Sequence, residues 1–196
     1  MKEFIPKQPN KSPMVFKSLG TTDLVITFVV QDQLSKLCRY INQNDLRVWG
    51  IKEKELYTIS KQNLGRLAEE VSSKNNGLFN ETQTGVYFSN MLGQFSASLV
   101  LLPNLFTQLA VPEKNRVMQL VSNDLLLLAD SCDAMSTCVM GEMSLRLVSC
   151  KQFLSLQPIR YLNTWFPYEP IKVEHQFPIP VNKDEIKIYK KAIFRK

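Results

Sequence analysis

The residues of this sequence whose types and spacing best suit chemistry are two carboxylates. Asp130 and Asp133 lie three positions apart at a predicted strand-to-helix junction, where paired carboxylates could bind a cation. Side chains at such a junction more commonly accept hydrogen bonds from the first N–H groups of the helix and interact with its dipole. We therefore expect the two aspartates to cap the helix. The alternative is a hydrolase-type enzyme that uses carboxylates near Asp130.

Histidine and cysteine chemistry is limited by the numbers of these residues. His175 is the only histidine, so any Ser-His-Asp or Cys-His arrangement would have to use it. We expect it to be a surface residue. The four cysteines form no CxxC pair and match no zinc spacing, which predicts reduced, buried thiols in a reducing compartment. These cysteines are Cys38, Cys132, Cys138 and Cys150.

Phosphate-binding loops are also missing from the sequence. No set of glycines gives a GxGxxG or Walker pattern, so nucleotide binding by these routes is not predicted. We predict no catalytic, cofactor-binding or metal-binding residue, and no cofactor.

Length and composition indicate one globular domain. The chain has 196 residues, of which 44% are hydrophobic and 21% charged, and these are ordinary values for a packed domain. No apolar run approaches the roughly 20 residues that span a bilayer, and residues 1–20 lack the apolar region of a secretory signal. We expect a soluble, intracellular protein of a reducing compartment, the cytoplasm.

A recurring pattern of elements predicts the fold. Three units each contain two apolar, β-rich stretches and then a helix-like stretch, and packing them together predicts a sheet covered by helices. Within them, residues 24–30 (LVITFVV) predict a strand buried on both faces, and 97–102 predict another strand. The segments 117–121 and 125–129 predict a hairpin. The units are 23–41 into 52–71, 85–101 into 103–110, and 117–129 into 133–150.

Aromatic and sulfur-containing residues of these elements have two interpretations. Tyr40, Tyr87 and Phe88, on predicted strands, could stack on nucleic-acid bases, but packing in the core or on the sheet face is the favoured interpretation. A stripe on the third helix could form an adaptable partner surface; it consists of Met135, Met140 and Met143 with Cys138 and Leu147. Core packing against the sheet is favoured there too.

The two ends of the chain lie outside the repeating pattern. Residues 172–196 carry seven basic and three acidic side chains, and a basic tail of this kind can attract nucleic acid, anionic lipid or an acidic protein. A solvated edge strand kept soluble by lysine is the favoured interpretation of this tail. The candidate interaction residues are six basic residues of this tail and two aromatic residues before it: Lys172, Lys183, Lys187, Lys190, Lys191, Arg195, Trp165 and Phe166.

One part of the sequence resembles a known family. The block 23–64 (DLVITFVVQDQLSKLCRYINQNDLRVWGIKEKELYTISKQNL) is similar to the opening of the YtpQ-like family, which consists mainly of bacterial proteins of uncharacterised function. The segments 96–110 and 123–130 are similar to its later units. The resemblance covers roughly residues 23–170 and implies an α+β fold and an intracellular setting, without a reaction. The residues that carry it in the first block are Leu46, Trp49, Gly50, Leu56, Asn63 and Leu64.

These observations together predict a single α+β domain over residues 23–170, with a mostly antiparallel sheet covered by two or three helices. Extended arms are predicted over 1–22 and 171–196. We expect a non-enzymatic protein-interaction module, such as an accessory subunit of a larger assembly, with protein as the partner. The alternatives are nucleic-acid binding through the basic tail and the hydrolase described above. The oligomeric state is left open.

Overall fold

The computed structural model of the chain describes residues 12–32, 37–147, 154–161 and 164–168. It has an α+β fold of antiparallel sheets and helices, which confirms the predicted fold class. Cys150, His175 and the basic residues of the predicted C-terminal arm lie outside the described residues. No helix in the described part of the chain has both the length and the apolar character needed to cross a membrane.

The elements follow one another in this order. The N-terminal part contains β1 (Phe16–Ser18), β2 (Val25–Thr27), β3 (Val29–Gln31), β4 (Cys38–Tyr40), α1 (Gln43–Trp49) and α2 (Glu53–Asn75). The middle contains β5 (Asn80–Glu81), β6 (Tyr87–Ser89) and three 3₁₀ segments, Gly93–Leu101, Pro103–Gln108 and Glu113–Asn115. The last described elements are β7 (Arg116–Ser122), β8 (Leu125–Asp130), α3 (Ala134–Leu147), β9 (Ile159–Tyr161) and β10 (Trp165–Pro167).

A six-stranded antiparallel sheet forms the centre of the fold, in the order β10-β9-β7-β8-β6-β5. The predicted hairpin of residues 117–129 is confirmed as β7 and β8, which pair along their length. Their side chains alternate between two clusters, so Leu126 and Leu128 pack on one face while Leu125 and Leu127 pack on the other. This strand pair, rather than residues 24–30, is buried on both faces.

Helices cover the two faces of this sheet. On one face, Ala68 of α2 and Leu99 and Phe106 of the 3₁₀ segments belong to the larger cluster. On the other face, α3 packs through Met140, Met143 and Leu147, so these members of the stripe are core residues, as favoured. Met135 is an exception, because 47% of its surface is exposed.

The N-terminal part forms a smaller layer beside the main sheet. Strands β1 and β2 make one antiparallel pair and β3 and β4 make another. A third cluster joins this layer to α2 through Val15, Phe28, Ile41, Leu46 and Leu56. The prediction of one buried strand over residues 24–30 is therefore wrong. These residues form two strands, β2 and β3, which are separated at Phe28 and belong to two small sheets, and the side chains of both strands are largely exposed.

Part of the predicted N-terminal arm belongs to the domain. The sequence predicted an arm over residues 1–22, whereas β1 pairs with β2, and Val15 and Leu19 are buried. The turn after β1 also contacts the main sheet, since the backbone N–H of Thr21 donates to the carbonyl oxygen of Trp165 at 2.8 Å.

The second unit of the sequence pattern folds differently from the prediction. Residues 97–102, predicted as a strand, lie largely in the 3₁₀ segment Gly93–Leu101. A short apolar run of this kind has no periodicity that separates a strand from a helix. One local and one tertiary hydrogen bond favour the turn-rich form. The Oγ of Ser96 accepts from the N–H of Leu92 at 3.1 Å, and the N–H of Ala97 donates to the carbonyl of the distant Asn123 at 3.0 Å.

Candidate binding cleft

The two aspartates at the β8–α3 junction accept backbone hydrogen bonds. Asp133 Oδ1 accepts from the N–H of Met135 at 2.9 Å, at the first turn of α3. Asp130 Oδ1 accepts from the N–H of Cys132 at 2.8 Å, in the turn before the helix. Asp133 therefore caps the helix as expected, whereas Asp130 stabilises the preceding turn. Among the described residues, no group of three or more histidine, cysteine or acidic side chains could hold a metal ion.

The cysteines are less buried than predicted. Cys38, Cys132 and Cys138 are free thiols, but Cys38 and Cys132 are exposed and Cys138 is half-buried. The prediction of buried thiols is wrong for the first two, because Cys38 lies on a two-stranded hairpin and Cys132 in the turn before α3. The Nε2 of Gln94 contacts the Sγ of Cys38 at 3.1 Å.

The aromatic residues singled out from the sequence lie at different places in the fold. Tyr87 and Phe88 are buried on β6, so core packing is confirmed for both. The same prediction is wrong for Tyr40, which is 58% exposed at the end of β4 in a two-stranded sheet. Trp165 is buried in the larger cluster, with its ring 4.9 Å from that of Tyr161. Phe166 follows on β10. The interaction role of Trp165 and Phe166 stays a prediction.

A cleft lies between the N-terminal layer and the main body. Its apolar compartment, of about 210 Å³, is bounded by β2 and β3, by α2 and by the 3₁₀ segment Gly93–Leu101. These elements belong to different clusters, and Ile26 packs against both. The apolar side chains that line the compartment are Ile26, Phe28, Val29, Leu64, Leu67, Phe95 and Leu101.

A second, more polar compartment adjoins the first, and we call it the basic compartment because Lys17 and Lys61 line it. It has a volume of about 270 Å³ and shares Ile26, Tyr57, Lys61 and Leu101 with the apolar compartment. Lys17 of β1 and Thr164, just before β10, also line it. We call the two compartments together the Tyr57 cleft, because Tyr57 borders both.

Tyr57 holds two lysines at the cleft. The Nζ of Lys17 lies 3.9 Å from the centroid of the Tyr57 ring, and the Nζ of Lys61 lies 5.8 Å from it. A cation at this distance from an aromatic face is attracted by about 0.5–1 kcal/mol at an exposed site. The ring itself is fixed by an edge contact with Phe28, at 6.5 Å between centroids.

The Tyr57 hydroxyl is protonated at neutral pH. Burial raises the pKa of this group above its ordinary value of 10.0, and the nearby Tyr161 raises it further. Desolvation has this effect because it disfavours the phenolate. Tyr57 therefore offers the cleft a neutral hydroxyl, which can donate a hydrogen bond.

The charge of the cleft has one sign. Lys17 and Lys61 line it, and none of the described residues that line it is an aspartate or a glutamate. Neither ammonium group forms a salt bridge with a carboxylate in the described ranges of the chain. An apolar compartment beside two ammonium groups suits a ligand that combines an apolar group with a negative charge.

Sequence reasoning did not single out these residues. Lys17 belongs to the predicted arm, 40 positions before Tyr57 and in another element. The one available signal was the spacing of Tyr57 and Lys61, four positions apart on α2, which places them side by side on the helix.

Comparisons with known proteins add no relative. The chain matches no protein-family model, no curated protein and no solved structure. The resemblance of residues 23–170 to the YtpQ-like family therefore stays a prediction.

Proposed function

We propose that this protein is a non-catalytic interaction module that binds a segment of a partner protein in the Tyr57 cleft. The observation that carries the proposal is the pairing of an apolar compartment with a basic one. Side chains of a peptide segment fit this arrangement, because an apolar residue can enter the first compartment while its neighbours reach the second.

The lining of the cleft supports binding rather than chemistry. Besides apolar side chains it contains hydroxyls, amides and two ammonium groups, which orient a bound segment through hydrogen bonds and charge. Asp130 and Asp133, the carboxylates that suggested a hydrolase, each accept a backbone N–H at Oδ1 and line neither compartment of the cleft. The interaction-module prediction is therefore the one that the geometry supports best.

Site-specific photo-crosslinking in native cells tests this proposal. A photoreactive phenylalanine analogue replaces Thr27 or Ser60, which line the cleft. The control replaces Leu145, which is 60% exposed on α3 at the other face of the sheet. We expect both cleft positions to give adducts with the same protein, identified by mass spectrometry, and the control to give none with it.

Two results would count against the module. One is the absence of any protein adduct from Thr27 and Ser60 under conditions in which the variants fold and express normally. The other is the same set of adducts from Leu145 as from the cleft, because adducts of that kind report random collisions rather than docking.

A further inference from the structure

We propose that the partner segment carries aspartate or glutamate next to an apolar residue, and that Lys17 and Lys61 recognise its carboxylates. This inference rests on the proposed function and adds the chemistry of the occupant. The basic compartment is the site of recognition, and the apolar compartment takes the neighbouring side chain.

The position of the two ammonium groups supports carboxylate recognition. Tyr57 attracts both to one ring, at 3.9 Å for Lys17 and 5.8 Å for Lys61. An ammonium group has three N–H donors, and contact with a ring face leaves donors free for a ligand. The ring therefore restricts the lysines in advance, which reduces the entropy lost when an anion binds.

Charge complementarity favours an acidic segment of another protein, rather than either end of this chain, as the occupant of the cleft. Residues 1–11 carry three lysines and one glutamate, and 172–196 carry seven basic and three acidic side chains. Basic segments are repelled by Lys17 and Lys61, whereas an acidic segment is attracted. A separate acidic protein is thus the better occupant on electrostatic grounds.

Carboxylate fits the basic compartment better than phosphate does. Proteins often recognise phosphate groups through the bidentate fork of arginine, and among the described residues no arginine lines either compartment. Two separate lysines instead suit carboxylates on different side chains of an extended segment.

Selection from a displayed library of random dodecapeptides tests the inference. We expect the protein to enrich peptides that have aspartate or glutamate beside a large apolar residue. The variant Lys17→Glu/Lys61→Glu should lose affinity for a selected peptide by about tenfold or more, since it replaces attraction with repulsion. Selection on that variant should enrich basic peptides instead.

A matched variant controls for net charge. Lys54 and Lys114 are exposed and line neither compartment, so Lys54→Glu/Lys114→Glu changes the net charge by the same amount. This control should keep both the acidic preference and the affinity. Circular dichroism of both double variants should match that of the unchanged protein. In urea the cleft variant should be somewhat less stable, because it also loses the contacts of both lysines with the Tyr57 ring, so affinities are compared under conditions in which both variants are fully folded.

The outcomes separate the two proposals. Apolar peptides enriched without any charge preference would overturn carboxylate recognition and leave the interaction module standing. Equal loss of affinity in the two double variants would also overturn it, because the effect would then follow net charge rather than the cleft. Failure to enrich any peptide would contradict the proposed function itself.

Discussion

Gly20 is a residue at which backbone conformation and close packing act together. Its φ of +62° lies in the left-handed region, and a Cβ there would lie 1.9 Å from the carbonyl oxygen of Trp165. Both effects exclude a side chain, because the φ strains it and the contact is with backbone. Gly20 is therefore the point at which the N-terminal layer approaches β10, and it lines the basic compartment of the cleft.

We expect Gly20→Ala to lower the free energy of unfolding by about 3 kcal/mol, because strain and collision add. Urea denaturation measures the change. Gly65→Ala is the matched control, since Gly65 lies within α2 with no atom within 4 Å of an added Cβ. That variant should be more stable than the unchanged protein by about 0.5–1 kcal/mol. Equal effects at the two glycines would contradict the described packing of the turn.

Asp45 stabilises the start of α1 through its charge. The side chain of Arg39 donates to both carboxylate oxygens at 2.7 and 2.9 Å, and the N–H of Asn42 donates to Oδ2 at 2.9 Å. Asn42 caps the helix in return, since its Oδ1 accepts from the N–H of Asp45 at 3.2 Å. The hydrogen bonds from Arg39 are the largest cause of a lowered pKa of Asp45, and the bond from the N–H of Asn42 lowers it further below its ordinary value of 3.8.

The stability contribution of Asp45 should depend on pH. Because its folded pKa is lowered, the contribution is fully present above the unfolded pKa and is lost as pH falls through the folded pKa. We expect Asp45→Ala to cost about 1 kcal/mol at pH 7 and progressively less below pH 4. Urea unfolding at pH 7 and pH 3 measures both values. As a control, Asp23→Ala, at an exposed aspartate, should change the free energy of unfolding little at either pH. A destabilisation by Asp45→Ala that is larger at pH 3 than at pH 7 would contradict the stabilising role of the Asp45 charge.

At the scale of the elements, α3 contributes to the core through one face only. Met140 is 1% exposed and packs against β7 and β8, while Leu145 on the same helix is 60% exposed. We expect Met140→Ala to lower the free energy of unfolding by about 2–4 kcal/mol, and Leu145→Ala to change it by less than about 0.5 kcal/mol. Comparable losses at the two positions would mean that α3 is rotated from its described orientation.

The elements that the sequence predicts well are those with a long pattern. Helix α2 has apolar residues at helical spacing over many turns, and the β7–β8 hairpin has two apolar runs on either side of the Asn123-Asp124 turn. Residues 97–102 and 24–30 were less predictable, because a short apolar run fits a strand, a 3₁₀ segment or two small hairpins equally well. Tertiary contacts decide there, such as the hydrogen bond from Ala97 to Asn123.

At the scale of the whole molecule, the cleft could not be predicted because it forms where separate parts of the chain meet. Lys17 comes from β1, Tyr57 and Lys61 from α2, and Phe95 from a 3₁₀ segment whose later part is predicted from the sequence as a strand. Sequence spacing brings together only Tyr57 and Lys61. The other contacts depend on how the N-terminal layer packs against the main sheet, which no local pattern encodes.

The most direct test of the central claim is to locate a selected acidic peptide on the protein by NMR titration. We predict that the largest amide shifts occur at residues lining the Tyr57 cleft, such as Thr27, Ser60 and Ser98. Shifts concentrated instead on exposed apolar residues elsewhere, such as Val48 of α1 or Leu145 of α3, would contradict the claim, because the peptide would then bind outside the cleft.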